Sequence, residues 1–274
     1  MNWKSIIKQH SIRKAGIVGV PPLETIGALN TAGVDIIDLD AMIIKADMET
    51  TVTYLPRVYC AILRTVVLNA MHLELDAIFI DTGPGKCDCA LHVAIVLEDA
   101  LAIPVFKTVN RDDQGFGYPL CLGEMDLTDK FIAITEGVKI ARPPAQAPTP
   151  CEPTAGFWGV PPRDFSILSL FPDTTHVFGW TRCMENKTPA DWQLEAEYNP
   201  DIPTVFFAQS FCAKTALARH LAAKHPHALY LDIDVHTGSS AKAKIAAFLE
   251  LSGVKAELSS LSARAKLMPC GYTL

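Results

Sequence analysis

The stretch LDAIFIDTGPGKCDCALHVAIVLEDAL, residues 75–101, decides the fold. Its AIFI run (77–80) is apolar, of strand length and without polar alternation, as expected of a strand covered on both faces. The loop TGPGKCDC (82–89) is punctuated by glycine and proline. From about Ala90 to Leu101 the residues take helical spacing. A strand, a glycine turn and a helix in that order form the building unit of parallel α/β sheets.

Working outward, the unit recurs. HALYLDID (227–234) leads through a small-residue loop to a helix from about Ser240 to Leu251, spaced on Ile245, Phe248 and Leu249. Upstream, LPRVYCAILR (55–64) passes through a helix into the first strand, and PTVFFAQSFCAK (203–214) passes through a helix into the second. The interval from Cys60 to Asp81 nearly equals that from Cys212 to Asp232. A further repeat opens each half: AGIVGVPP (15–22) and AGFWGVPP (155–162). The pattern predicts an α/β protein of two similar Rossmann-like domains with parallel sheets. RPPAQAPTPCEP (142–153) holds five prolines and no periodicity, which marks an extended linker. The expected domains are 1–141 and 154–274, with a helix after Leu251 that runs to about Met268 and an irregular end.

Bulk properties narrow the function. The 274 residues are 49% hydrophobic, enough for a real core, and carry a net charge of −6. There is no Lys/Arg block, so the footprint of a nucleic-acid binder is missing. No run approaches the ~18 uninterrupted apolar residues of a membrane span. The opening MNWKSIIKQHSIRK is polar and basic, without the apolar core of a secretory signal. These features predict a soluble, cytoplasmic protein. The GVPP turns lack G-x-G-x-x-G spacing and no G-x-x-x-x-G-K-[ST] occurs, so neither NAD nor directly bound ATP is expected.

Eight cysteines then need a reason, because disulfides are rare in a reducing cytosol. In doubly wound α/β domains ligands sit beyond the carboxyl ends of the strands. Cys60, at a strand end or helix start, Cys87 and Cys89 in the TGPGKCDC loop, and Cys212 after TVFFA all fall at such turns. Helix N-termini stabilise thiolates, and Gly83 and Gly85 let the backbone approach and offer N–H groups to cluster sulfurs. Two facing domains would aim these loops into one cleft. The alternative is that each cysteine is a small buried hydrophobe.

At these residues the chain resembles the 2-hydroxyacyl-CoA dehydratase and benzoyl-CoA reductase subunit family. PLETIGALNTAG (22–33) is similar to the family's early P-x-E-x-I-x-A-x-G segment, and Cys60 followed by Arg64 to its first ligand segment. LDAIFIDTGPGKCD resembles the strand and loop of the second ligand, where Cys-Asp is typical. Phe211-Cys212 resembles the third, and LYLDIDVHTGSSAKAKIAAFLE (229–250) the closing segment.

The resemblance implies a [4Fe-4S] cluster between two α/β domains on Cys60, Cys87 and Cys212, with one iron open to water, sulfide or a substrate carbonyl. It further implies a dimer with a related subunit or a second copy, an ATP-dependent activator as electron donor, and an acyl-CoA substrate reduced by one electron. Three departures stand out. The chain is short for a family subunit, which opens the alternative of a non-catalytic electron-transfer or cluster-assembly protein. Cys87 and Cys89 compete for one ligand place, with Asp88 favouring Cys87. Cys183, at the corresponding turn of the second domain, is a candidate further ligand. Glu24, near a helix start, and His236, after the strand that ends in Asp234, are candidate catalytic residues.

Overall fold

A computed structural model describes residues 2–144 and 146–254; the helix expected after Leu251 therefore lies almost wholly outside the described residues. In the first half, helix α1 (Trp3–Gln9) precedes strand β1 (Lys14–Val18), α2 (Leu23–Thr31) and β2 (Asp35–Asp38). A 3₁₀ turn (Met48–Thr53) leads to α3 (Ala61–His72), β3 (Ala77–Asp81), α4 (Asp88–Ala100) and β4 (Val105–Thr108). Helices α5 (Pro119–Leu122) and α6 (Leu127–Gly137) follow. The second half runs β5 (Ala155–Gly159), a 3₁₀ turn (Phe165–Leu170), β6 (Thr175–Phe178), α7 (Trp180–Asn186) and α8 (Trp192–Ala196). It closes with β7 (Thr204–Gln209), α9 (Lys214–Lys224), β8 (Ala228–Ile233) and α10 (Ser239–Leu251).

The two sheets have one topology. Their orders are β2-β1-β3-β4 and β6-β5-β7-β8, and every neighbouring pair is parallel. The order reverses between β1 and β3 and again between β5 and β7, the places where such sheets open a crevice at their carboxyl ends. β3, β5 and β7 are buried at every position, which explains their unbroken apolar sequence.

The topology corrects one reading of the repeat. Spacing pairs Cys60 with Cys212, but the strand registers make β3 the counterpart of β7. Cys87 and Cys212, each after the third strand of its half, are thus the matched pair. Cys60 and Gly179, the N-caps of the helices that follow the second strands, are the other matched pair. The Leu55–Tyr59 run is also no strand: it is the tail of the long connection from β2.

The expected boundary near residue 141 divides the sequence but not the packing. Helix α6 lies on the second sheet, with Phe131 edge-on to Phe157 at 5.1 Å between ring centroids. The buried Lys130 ammonium reaches the Thr175 carbonyl at 2.6 Å and the Gly123 carbonyl at 2.8 Å. The α5 N–H groups of Leu120 and Cys121 donate to the buried Glu185 carboxylate at 2.7 and 2.9 Å. One apolar core consequently runs from Trp3 and Ile26 through Phe131 to Phe157 and Phe207. The proline-rich segment is pinned near its second end: Glu124 N–H donates to Thr149 O at 2.8 Å, and Cys151 N–H to Leu122 O at 3.3 Å.

Candidate metal centre

Each of the three resemblance-implied cysteines is placed by a turn at the carboxyl end of a sheet. Cys60 caps α3 and Cys87 caps α4, both with extended ψ, so each thiol stands at a helix start where backbone N–H groups favour a thiolate. Cys212 stands two residues before α9. Phe211 before it has φ 60°, a left-handed conformation that costs a bulky residue ~1–3 kcal/mol. That conformation leaves the Phe211 ring more than half exposed while Cys212 faces inward.

The three turns converge. Cys60, Cys87 and Cys212 line one cavity of ≈ 310 Å³ between the halves, together with Lys86, Trp180 and Lys214. Two backbone-level contacts hold its walls in register. The first N–H of α3, from Ala61, donates to Ser210 O at 3.2 Å and joins the Cys60 turn to the Cys212 turn. Gly85, at φ +85°, packs so closely that a Cβ there would sit 1.7 Å from Pro189 O of the second half. Gly83 supports the same loop through its N–H, 3.1 Å from Asp81 Oδ1.

The electrostatics are unequal among the thiols. The Cys60 thiol donates to Cys212, and this pulls Cys212 down to about 7 against the opposing effect of burial; the Lys214 backbone N–H and the Lys214 and Lys86 ammonium groups add to it. Cys60 is pushed up by donating that hydrogen bond, then by burial. Burial, then the negative charge of Cys89 and Cys212, raises Cys87. Both lysines lie against Trp180, Lys214 Nζ at 4.2 Å and Lys86 Nζ at 5.4 Å from the ring centroid. Lys214 also pairs with the buried Glu195 carboxylate and reaches Gly85 O across the cleft at 3.3 Å.

Behind Lys86 lies a buried charge cluster. Lys86 Nζ is 4.0 Å from Asp40 Oδ2, which accepts Gly19 N–H at 2.6 Å. Arg163 of the second half donates through Nη1 to the Asp40 carbonyl, while its Nε and Nη2 are buried without partners. Burial, and next the neighbouring Asp40, raises the Asp38 carboxyl to about 7.

The remaining expected residues fall elsewhere. Cys89 does not line the cavity; its sulfur meets the Tyr59 hydroxyl, and burial followed by that hydrogen bond raises Tyr59. Cys183 is fully buried in α7 with Sγ 3.6 Å from Asp191 O, and burial pushes its thiol up to about 12. Glu24 is exposed on the first turn of α2 and His236 is exposed in the β8–α10 loop; neither lines the cavity, because a surface turn and a solvent-facing loop carry them. Reading the sequence did not place Trp180, Glu195 and Lys214 at the site. The GVPP repeat and Gly179 held a signal for Trp180, since the second half's matching helix start is where a counterpart of Cys60 belongs.

Among the described residues, no three His, Cys, Asp or Glu side chains are grouped for a single metal ion. A four-iron cluster is wider than one ion, and three soft thiolates from separate turns around a cavity are the donor type it takes. No helix among the described residues is long and apolar enough to cross a membrane.

No family model matches the chain, and no curated protein matches it. Among solved structures, one of MenH from S. aureus aligns at 11% identity over 88% of this chain and 94% of that chain, with a TM-score of 0.20.

Proposed function

We propose that this chain is a [4Fe-4S] protein of the 2-hydroxyacyl-CoA dehydratase type, with the cluster on Cys60, Cys87 and Cys212. The observation that carries the reading is the convergence of these three thiols, distant in sequence, on one cavity between the halves. When bound, such a cluster supplies one-electron chemistry at low potential, for reduction or dehydration of a substrate beside it.

The chain's own residues suit that task. Capping positions at α3 and α4 and the turn before α9 orient the thiols. Lys86 and Lys214 set positive charge beside a group that gains negative charge on reduction. Ile62, Leu63, Val160 and Leu217 give the rest of the wall an apolar lining. An ATP-dependent activator as electron donor, and a dimer with a related subunit or a second copy, belong to the same proposal and come from the resemblance.

The test is anaerobic purification followed by iron and acid-labile sulfide assays and EPR of the dithionite-reduced protein. About four iron and four sulfide per chain, with a signal from one reduced cluster, is the expected result. Protein that folds but carries neither iron nor sulfide after anaerobic reconstitution overturns the proposal.

A further inference from the structure

We infer that Gly19 and Asp40 form a cradle that aims the Lys86 ammonium at the three thiols, and that this placement sets the reduction potential of the centre they hold. The inference rests on the cluster reading above and assigns Gly19 and Asp40 as positioning residues for that same site.

The cradle begins at the GVPP turn. Gly19 has φ +77°, and a Cβ there would sit 2.1 Å from Lys86 Cε and 2.7 Å from its Nζ. The lysine stem therefore lies directly on the turn, in space that any other residue at 19 would fill. Gly159 holds the same place in the second half's copy of the motif. It lies instead against the β7 backbone, where a Cβ would meet Phe207 O at 2.3 Å. The shared turn thus seats a lysine in the first half and a strand in the second.

Asp40 completes the cradle. Its Oδ2 accepts the Gly19 N–H at 2.6 Å and is ion-paired with Lys86 Nζ at 4.0 Å. Its own N–H donates to Asp38 Oδ1 at 3.0 Å, and its carbonyl accepts Arg163 Nη1 from the second half. Side chain, N–H and carbonyl are all engaged, so both halves fix this residue. With the carboxylate behind it and Trp180 at 5.4 Å, the Lys86 ammonium is held at the wall of the cavity that Cys60, Cys87 and Cys212 line.

Two charges of opposite sign act oppositely on a reduction. The ammonium at the cavity wall favours an added electron, and the carboxylate behind it cancels part of that field. Removing either charge should therefore shift the potential, in opposite directions. Loosened packing alone gives no reason for the signs to differ.

The experiment is an EPR-monitored redox titration of anaerobic holoprotein, with iron and sulfide measured in every sample. Lys86→Met should lower the equilibrium constant for reduction about tenfold, a fall of about 59 mV for one electron. Asp40→Asn, which keeps an oxygen for the Gly19 N–H, should raise the potential. Gly19→Ala changes no charge and should lower it, because the new Cβ meets the end of a flexible side chain and moves the lysine from its seat. Lys107→Met makes the same charge change at an ion pair outside the cavity and should leave the potential in place.

An unchanged potential in Lys86→Met overturns the inference. So does a potential that Asp40→Asn leaves unchanged or lowers, or an equal shift from Lys107→Met. In each of these cases wild-type iron and sulfide leave the cluster reading standing. If Lys86→Met loses its iron, the remaining loaded variants decide by the signs given above. Loss of iron from all three cradle variants would make the cradle a support of the Cys87 loop and overturns the inference too. Wild-type protein without iron or sulfide sinks the cluster reading instead.

Discussion

The halves of this molecule share a strand order and an AG-x-x-GVPP opening, yet they differ where their strands end. Aligning the repeat through its registers sets Asp38 of β2 opposite Val177 of β6, since Ile17 pairs Asp38 and its counterpart Phe157 pairs Val177. The same alignment sets Asp81 of β3, two residues beyond the Phe79 that pairs Ile17, opposite Phe207 of β7. The first half buries two acids at its strand ends, and the second buries apolar groups. At the next turn the roles reverse. The first half offers Cys60 at a helix start, while the second offers Gly179 and then Trp180. A repeated frame has thus been filled unevenly. Three thiols and one indole line the cavity, with Trp180 on the side where the second half has no counterpart of Cys60.

The largest effect tests that unevenness directly. Replacing Cys60, Cys87 or Cys212 by Ser should abolish iron and sulfide retention in anaerobically purified protein. Cys89→Ser and Cys183→Ser, which alter thiols outside the cavity, should retain both. Loss of iron from Cys183→Ser alone would make the halves more alike than the structure has them.

The next effect is on folding. Gly179 has φ +75°, and a Cβ there would come within 2.9 Å of Gly159 N and 3.0 Å of the Trp158 ring. Gly179→Ala should cost ~2–4 kcal/mol, combining left-handed strain with overpacking. Gly238→Ala, at the open N-cap of α10 with nothing within 4 Å, should change stability by less than ~1 kcal/mol. Urea unfolding at constant m-value measures both.

The buried acids separate the halves by pH. Asp38 is held at about 7, against an ordinary 3.8, by burial and then by Asp40. Its folded form therefore binds a proton that the unfolded chain has released between those values, so this residue's contribution to stability falls as pH rises from about 4 to about 7. Asp38→Asn should remove that slope and stabilise the protein at pH 7.5 by on the order of 2 kcal/mol, with little change at pH 4. Unfolding curves across that range, compared with the wild type, decide it; an unchanged slope would mean that the Asp38 charge is compensated by Lys86 and Arg163.

The smallest effect concerns Cys89. Cys89→Ser should leave stability within ~0.5 kcal/mol and shift the Tyr59 titration, followed by ultraviolet difference absorbance, because their side chains are hydrogen-bonded.

Much of the frame was legible in the sequence. Wholly buried strands such as β3 and β7 write continuous apolar runs, and the turn after each carries its cysteine. Short strands were harder: β2 reads DIID and β6 reads THVF, four residues each with polar ends, too brief for periodicity to register. The placing of α5 and α6 on the second sheet was illegible because a helix's apolar stripe states that it packs, not against what. Lys214 carries no sequence signal, since only the folded cleft brings it over Trp180. Glu24 and His236 lie outside the cysteine cavity, because proximity in sequence to a turn does not aim a side chain into the space beside it.

The crossing of α5 and α6 onto the second sheet has a consequence for how this molecule can be divided. Cutting the chain in the proline-rich stretch would yield a first fragment displaying the naked apolar flank of α6, and a second fragment stripped of its lid. A break between β4 and α5, near residues 111–118, would instead keep α5 and α6 with the second sheet, at the loss of the hydrogen bonds that Lys139 and Ala141 make with Asn30 of α2. The packing of α5 and α6 on the second sheet thus begins before the stretch its prolines mark.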